Sequence, residues 1–256
     1  MQEICLVIPC YNEAGRLRGN EILDFIERHE RASVCLVNDG SSDATLNVLE
    51  ALKKTDPEKI LVVSLPNNHG KAEAVRQGVI HVSSLRRFAF IGYWDADLST
   101  PLRELEHILS AFTFNPGCRL AMGSRVKRLG AHIERRATRH VFGRIFSTFS
   151  SRIVNLPVYD SQCGAKVFRS EMVEVLFRDL FITRWLFDVE ILARLRNHLG
   201  QERALTATTE VPLDTWSEVG GSKLRIADLL TVPFELLKIY WHYNRRPPMH
   251  TGSAVE

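Results

Sequence analysis

The chain has 256 residues, of which 45% are hydrophobic and 25% charged, a balance typical of one globular domain with an ample core. The formal net charge of +3 is too small to indicate a nucleic-acid partner, so we expect none. The five cysteines are scattered, without a Cys-x-x-Cys pair or a Cys/His cluster, which predicts reduced thiols in a cytosolic core and argues against a zinc site.

Four apolar runs in the first hundred residues are each followed by a polar turn and a helical pattern: 4–8, 34–37, 60–65 and 88–91. This alternation predicts an α/β fold of Rossmann-like type, with a mostly parallel sheet and helices on both faces. Because the carboxyl ends of parallel strands meet at one edge, the four turns should form one site. The turn residues of chemical interest are Pro9, Tyr11, Glu13, Asp39, Gly70, Lys71, Asp95, Ala96 and Asp97.

The fourth turn carries two carboxylates one residue apart, Asp95 and Asp97. Carboxylate oxygens are hard ligands that suit Mg²⁺ or Mn²⁺, and such ions usually combine one or two carboxylates with substrate phosphates. The pair therefore predicts a metal site at the sheet edge. The alternative is an acidic turn that caps a following helix, with its start near Ser99, Thr100 and Pro101.

Three later segments carry distinctive patterns: DSQCGAKVF at 160–168, RWLFDVE at 184–190 and WSEVGGSK at 216–223. Together with the four turns, they resemble glycosyltransferase family 2, the inverting nucleotide-sugar transferases with the GT-A fold, over residues 4–225. They are similar to signature blocks of the dolichyl-phosphate β-glucosyltransferases and their prokaryotic relatives. The chain departs from that pattern at Asn38, where the family often has Asp, and at Ala165, where it has an aromatic residue.

The resemblance implies that the polar turns bind a nucleotide-sugar donor, with its base and ribose across the ends of the first two strands. The donor-site residues that it implies are Pro9, Tyr11, Glu13, Asp39, Gly70, Lys71, Asp95, Ala96, Asp97 and Gln162. Two of them have plainer interpretations from the residues alone. Pro9 can be a strand terminator, and Asp39 with Gly40 can be an ordinary turn.

The resemblance also implies four residues that act on the reaction: Lys223 as a positive charge on the leaving phosphate, Arg125 and Arg139 as a grip on an acceptor phosphate, and Asp188 where the family often holds its general base. A hydroxyl acceptor must lose a proton and needs a base, whereas a lipid phosphate is already anionic. The residues alone leave Lys223 open as a surface lysine, and Asp188 as a capping or ion-paired carboxylate at the start of a helix.

We therefore expect an inverting enzyme that moves a hexose, expected to be glucose, from UDP-glucose to a polyprenyl or dolichyl phosphate, with Mg²⁺ or Mn²⁺ as cofactor. A family 2 transferase that uses GDP-mannose or a saccharide hydroxyl, and a non-catalytic nucleotide-sugar-binding protein, stay open as alternatives. A nucleotidyltransferase is disfavoured because no Gly-rich loop with Arg and Lys follows the first strand. A dehydrogenase is disfavoured because that strand lacks a following Gly-x-Gly-x-x-Gly.

Residues 1–225 are expected to form the catalytic domain, 226–246 an amphipathic helix interrupted by Pro233, and 247–256 a disordered tail. No apolar run reaches the ~18 residues of a membrane span, and no signal peptide is visible. A second helix, apolar and arginine-rich, is predicted over 132–155. Both helices favour peripheral attachment to the cytoplasmic face of a membrane. The alternative for the C-terminal helix is a subunit contact in a homo-oligomer.

Overall fold

The computed structural model describes residues 3–134, 137–219 and 226–244. In chain order, the strands are β1 (Ile4–Cys10), β2 (Ala32–Asp39), β3 (Ile60–Leu65), β4 (Phe90–Trp94), β5 (Leu120–Ser124), β6 (His132–Glu134), β7 (Ala165–Arg169), β8 (Thr208–Pro212) and β9 (Thr215–Ser217). The helices are α1 (Gly19–Arg28), α2 (Thr45–Thr55), α3 (Lys71–Ser84), α4 (Glu104–Phe114), α5 (Ala137–Val154), α6 (Val173–Phe177), α7 (Phe187–Leu199), α8 (Gln201–Ala207) and α9 (Ile226–Asn244).

A seven-stranded sheet with the order β3-β2-β1-β4-β7-β5-β8 forms the centre of the fold. The first four strands are parallel to one another, and β8 is parallel to β5. Only β7 is reversed, pairing antiparallel with β4 on one side and β5 on the other. A separate parallel pair is formed by β6 and β9. The mostly parallel sheet predicted from the sequence is confirmed.

The sheet is covered on both faces, which explains why its central strands are continuous apolar runs. On one face, Val7 of β1 packs in a core with Val75 of α3 and Leu192 of α7. On the other face, Leu6 of β1 packs with residues of α1, α2 and α4, including Leu105. Successive residues of β1 therefore serve opposite cores, and the prediction of helices on both faces is confirmed.

The C-terminal helix α9 docks on α7 through an apolar and a polar contact. Leu236 and Ile239 are buried. The Tyr243 hydroxyl donates a hydrogen bond to Glu190 at 3.0 Å and accepts one from Arg194 at 3.0 Å. The helix is continuous through Pro233, so a division of the helix at that residue is wrong, while a kink there stays a prediction. None of the helices in the described part of the chain combines the length and the apolar character needed to cross a bilayer.

The structure corrects three boundaries. The fourth strand is two residues later than its apolar run, so it delivers Asp95 directly from its last residue, Trp94. The helix predicted over 132–155 begins only at Ala137, because His132–Glu134 pairs with β9 as a strand. The helix expected after Asp188 begins at Phe187, within the segment 184–190, which places Asp188 inside its first turn. The tail predicted over 247–256 lies outside the described residues.

Candidate active site

The turns after β1 and β2 are joined into one surface at the carboxyl edge of the sheet. The Asn12 N–H donates to Ser41 Oγ at 3.1 Å, and the Ser42 N–H donates to Asn12 Oδ1 at 2.9 Å. The Glu13 N–H donates to Thr45 Oγ1 at 2.7 Å, which ties the first turn to the start of α2. Asn12 has a φ of 49°, a conformation that asparagine tolerates better than most residues. Sequence-predicted Pro9 and Tyr11 lie half-buried on this surface.

Asp39 is buried at the end of β2 and organises the loop that precedes α3. Its Oδ1 accepts the His69 N–H at 2.8 Å, and its Oδ2 accepts the Gly70 N–H at 2.9 Å. The Asn68 side chain donates to the same Oδ2 at 3.1 Å. At Gly40, with a φ of 60°, an added Cβ would overlap the backbone at residues 67 and 68. The Asp39 carboxylate therefore holds the loop that positions Lys71, and a direct contact to a nucleotide base stays a prediction.

Asp95 and Asp97 follow β4 as predicted, and a lysine ammonium stands against the first of them, while a metal site at this pair stays a prediction. The Lys71 ammonium lies 2.5 Å from Asp95 Oδ1. The Asp97 Oδ1 accepts the Ser99 N–H at 2.9 Å, which fixes the turn. Because α4 begins only at Glu104, Asp97 does not cap that helix, and the capping alternative is wrong. Ala96 between the two carboxylates is buried.

The turn before β7 forms the wall beside Asp95. The Asp95 N–H donates to the Gly164 carbonyl at 3.0 Å. A Cβ at position 164 would overlap the Asp95 carboxylate, so only glycine fits here without a shift. Gln162 of the same turn is half-buried, and its Nε2 has no hydrogen-bond partner within the described residues. An unpartnered amide beside the carboxylate pair is what a hydroxyl-rich ligand would satisfy.

Arg16 is a site residue that the sequence interpretation missed. The Glu13 carboxylate accepts two hydrogen bonds from its guanidinium, from Nε at 2.9 Å and from Nη2 at 2.7 Å. These bonds are the main cause of a raised pKa at Arg16, and the charge of Asp97 adds to the effect. Glu13, predicted as a donor contact, therefore anchors a second cation, Arg16, whose guanidinium also feels the charge of Asp97. The sequence signal for this ion pair is the spacing of three residues between the carboxylate of Glu13 and Arg16.

Asp188 lies in a buried ion pair. Lys166 of β7 is fully buried, and its Nζ lies 2.5 Å from Asp188 Oδ1 and 2.6 Å from the Cys163 carbonyl. The Tyr93 hydroxyl also donates to Asp188. Burial, together with the neighbouring Asp188 charge, raises the pKa of Tyr93 well above its usual value, so this hydroxyl stays a donor. The ion-paired alternative describes Asp188 in this structure, and its partner Lys166 was not predicted.

The predicted acceptor residues are only partly described. Arg125, at the end of β5, makes two side-chain hydrogen bonds to Asp160, each 2.7 Å long. The Trp216 ring lies 5.3 Å from its guanidinium carbon and adds a cation–π contact. Arg139 belongs to α5, but its side chain is outside the described part of the structure, and Lys223 falls between the described segments. The predictions for Arg139 and Lys223 therefore fall outside the part of the chain that the structure describes.

Comparisons with known proteins show the family of the chain. The family model for glycosyl transferase family 2 matches residues 5–177. The chain belongs to glycosyltransferase family 2. It is 34% identical over 241 residues to a dolichyl-phosphate beta-glucosyltransferase of Drosophila melanogaster, covering 87% of this chain and 69% of that protein. A protein of the same name from Saccharomyces cerevisiae is 30% identical over 246 residues, covering 88% and 70%.

Solved structures confirm the fold of this glycosyltransferase. The glucosyl-3-phosphoglycerate synthase of Mycobacterium tuberculosis, crystallised with Mn²⁺, UDP and glucosyl-3-phosphoglycerate, superposes with a TM-score of 0.68 at 15% identity. The match covers 98% of this chain and 83% of that one. The mannosyl-3-phosphoglycerate synthase of Rubrobacter xylanophilus gives a TM-score of 0.69 at 18% identity, covering 95% and 74%. The predicted GT-A fold is confirmed.

Proposed function

We propose that this enzyme transfers glucose from UDP-glucose to a polyprenyl or dolichyl phosphate, with inversion at the anomeric carbon. The family and the names of the curated relatives support glucosyl transfer to a lipid phosphate. We base the choice of a phosphate acceptor on the surroundings of Asp188. The carboxylate at the family's base position is buried and ion-paired with Lys166, whereas an anionic phosphate acceptor needs no base.

A divalent ion, Mg²⁺ or Mn²⁺, fits the carboxylate pair on two grounds. Asp95 and Asp97 supply hard oxygen ligands, and the absence of a Cβ at Gly164 lets the Asp95 carboxylate keep its place in the turn. When bound there with the donor, the ion supplies Lewis-acid stabilisation of the departing diphosphate. Lys71 and Arg16 bring two further positive charges to the same place, and Gln162 offers an unpartnered amide to the sugar.

The reaction then needs one displacement. An anionic oxygen of the acceptor phosphate attacks the anomeric carbon from the face opposite UDP, the bond from that carbon to the UDP oxygen breaks, and no proton is transferred. Arg125 and Arg139 are proposed to hold the acceptor phosphate, because a guanidinium matches phosphate oxygens in two-point contacts. Arg125 would exchange part of its pairing with Asp160 for the acceptor, and Lys223 is proposed to steady the leaving phosphate.

The function is tested by measuring UDP release and glycolipid formation from UDP-glucose, Mn²⁺ and a polyprenyl phosphate. The matched controls replace the lipid phosphate with the corresponding polyprenol, and UDP-glucose with GDP-mannose. We expect product only with UDP-glucose and the phosphate. Turnover with a saccharide hydroxyl but not with the lipid phosphate would overturn the proposed acceptor. Binding of UDP-glucose without turnover of any acceptor would favour a non-catalytic binding protein.

Replacing Gly164 with alanine is expected to weaken Mn²⁺-dependent binding of UDP-glucose about tenfold or more. The new methyl group must displace the Asp95 carboxylate, an overpacking that costs about 1–3 kcal/mol. Calorimetric titration of UDP-glucose with Mn²⁺ measures the effect. The control is Gly117→Ala, because Gly117 is exposed and its added Cβ would come no nearer than 3.3 Å to the Asn115 side chain. Equal affinity for UDP-glucose in the two variants would contradict the assignment of the turn at Gly164 to the donor site.

The outward face of α9 is the surface that we propose rests on the membrane. Phe234, Leu237 and Trp241 recur at helical spacing on it and are 69%, 52% and 60% exposed. Phe149 of the neighbouring helix α5 is also exposed. Aromatic side chains at such a position suit the boundary between lipid and water. Exposed Lys238 and the following Arg245 and Arg246 suit anionic headgroups. We place this contact on the cytoplasmic membrane face.

The double variant Phe234→Ser/Trp241→Ser is expected to lose most of its binding to vesicles that contain anionic lipid, because two large apolar side chains no longer enter the bilayer. Vesicle flotation at low salt measures the bound fraction. Phe114→Ser is the control, since Phe114 is even more exposed, at 86%, but lies at the end of α4. Loss of self-association in the double variant, with unchanged flotation, would instead assign this face to a homo-oligomer.

A further inference from the structure

The Lys71–Asp95 ion pair has a consequence for the order in which ligands occupy the site. Lys71 is the first residue of α3, and Gly70 before it is fixed by its N–H bond to Asp39. The Asp95 main chain is fixed by its bond to Gly164. Both ends of the 2.5 Å contact are therefore held by buried structure, and the ammonium stands against the carboxylate where a metal ion would be held.

Among the described residues, the carboxylates here outnumber the nearby cations by one. Asp95 is paired with Lys71, and Arg16 is bound to Glu13, so the charge of Asp97 has no cation of its own beyond a weaker effect on Arg16. The ammonium of Lys71 therefore offsets much of the negative charge that a bare divalent cation would meet at Asp95. A nucleotide diphosphate changes that balance, because it brings negative charge for both the metal and the lysine.

We propose that Lys71 makes metal binding depend on the donor: it holds Asp95 when the site is without nucleotide, and turns to the diphosphate when metal and nucleotide bind together. This inference rests on the proposed donor and metal site, and it gives Lys71 a second role beyond donor contact. By linkage, the metal and the nucleotide must then raise each other's affinity by the same factor. The ion pair thus protects the empty site from free divalent cations.

The replacement of Lys71 with methionine separates the two roles, because they predict opposite signs. Mn²⁺ alone should bind the variant more tightly than the wild type, since a competing cation has been removed. UDP in the presence of Mn²⁺ should bind more weakly, since the diphosphate has lost a partner. The factor by which saturating UDP raises Mn²⁺ affinity should fall by about fivefold or more, the lower end of typical coupling between sites.

The experiment measures Mn²⁺ affinity by titration calorimetry and Mn²⁺ electron paramagnetic resonance, with and without saturating UDP. Lys54→Met is the matched control, because Lys54 is exposed on α2, and Lys71→Arg should keep the wild-type pattern by keeping the charge. If Lys71→Met binds free Mn²⁺ no more tightly than Lys54→Met, while both still bind UDP with Mn²⁺, the lysine proposal is overturned and the proposed function stands. If the wild type binds neither UDP nor Mn²⁺, the proposed function itself fails. Thermal unfolding of each variant confirms that it is folded.

Discussion

Replacing Asp97 with alanine is expected to abolish sugar transfer while leaving the fold intact. The side chain is proposed as a direct metal ligand, and its loss removes the charge stabilisation of the departing diphosphate. Loss of a preorganised charge-stabilising group costs about 10²–10³ in turnover, and loss of the metal contact adds to this. Among the described residues, the Asp97 side chain accepts a hydrogen bond from the Ser99 N–H within its own turn, and losing this one bond is not expected to unfold the protein.

Transfer to polyprenyl phosphate and Mn²⁺-dependent UDP binding measure this effect, with circular dichroism as the check on folding. Asp24→Ala is the control, because it removes an exposed carboxylate from α1. Asp188→Asn, assayed as folded protein, should lose less turnover than Asp97→Ala if the acceptor is a phosphate. Near wild-type turnover in Asp97→Ala would refute the metal assignment. Complete loss in Asp188→Asn with unchanged donor affinity would instead point to a hydroxyl acceptor and a catalytic base.

The second large effect concerns stability. Lys166→Met is expected to lower the free energy of unfolding by about 3–5 kcal/mol, because it leaves the buried Asp188 carboxylate without its charge partner. It also removes the bond to the Cys163 carbonyl, which supports the wall beside Asp95. The double variant Lys166→Met/Asp188→Leu should regain much of the loss, since both buried charges are then gone.

Guanidinium denaturation of the single and double variants gives these free energies. Lys54→Met introduces the same change at an exposed site and should alter stability by less than about 0.5 kcal/mol. A Lys166→Met protein as stable as this control would show that the carboxylate is solvated or neutral in solution. A double variant that is less stable than either single one would show that the pair contributes net stability, beyond the cost of leaving one charge alone.

The parallel half of the sheet was predictable because β1 and β2 are buried on both faces and therefore appear as unbroken apolar runs. The reversed direction of β7 was not, since an apolar run carries no information about strand order or direction. His132–Glu134 was mistaken for helix because a three-residue strand is too short to show its own period.

In the candidate site too, residues close in the sequence were predictable and residues joined only by tertiary packing were not. Asp95 and Asp97 were identified because both residues of the pair lie in one turn. Lys166 and Asp188 are 22 positions apart, and their pairing arises only from the packing of β7 against the start of α7. Arg16 was overlooked because an arginine in an exposed turn has many ordinary explanations. Local signals thus located the edge of the sheet that carries the chemistry, while the partners that set its charge came from tertiary contacts.

The single reversed strand separates the residues proposed for the donor from the residue proposed for the acceptor. Because β7 runs against its neighbours, its leading turn arrives at the same edge as the ends of β4 and β5. On one side, the strands from β3 to β4 offer the proposed donor turns, and on the other, β5 carries Arg125. On this assignment, the two substrates are recognised by separate parts of the sheet, and the short segment around Gly164 between them is the part that a substitution would disturb for both.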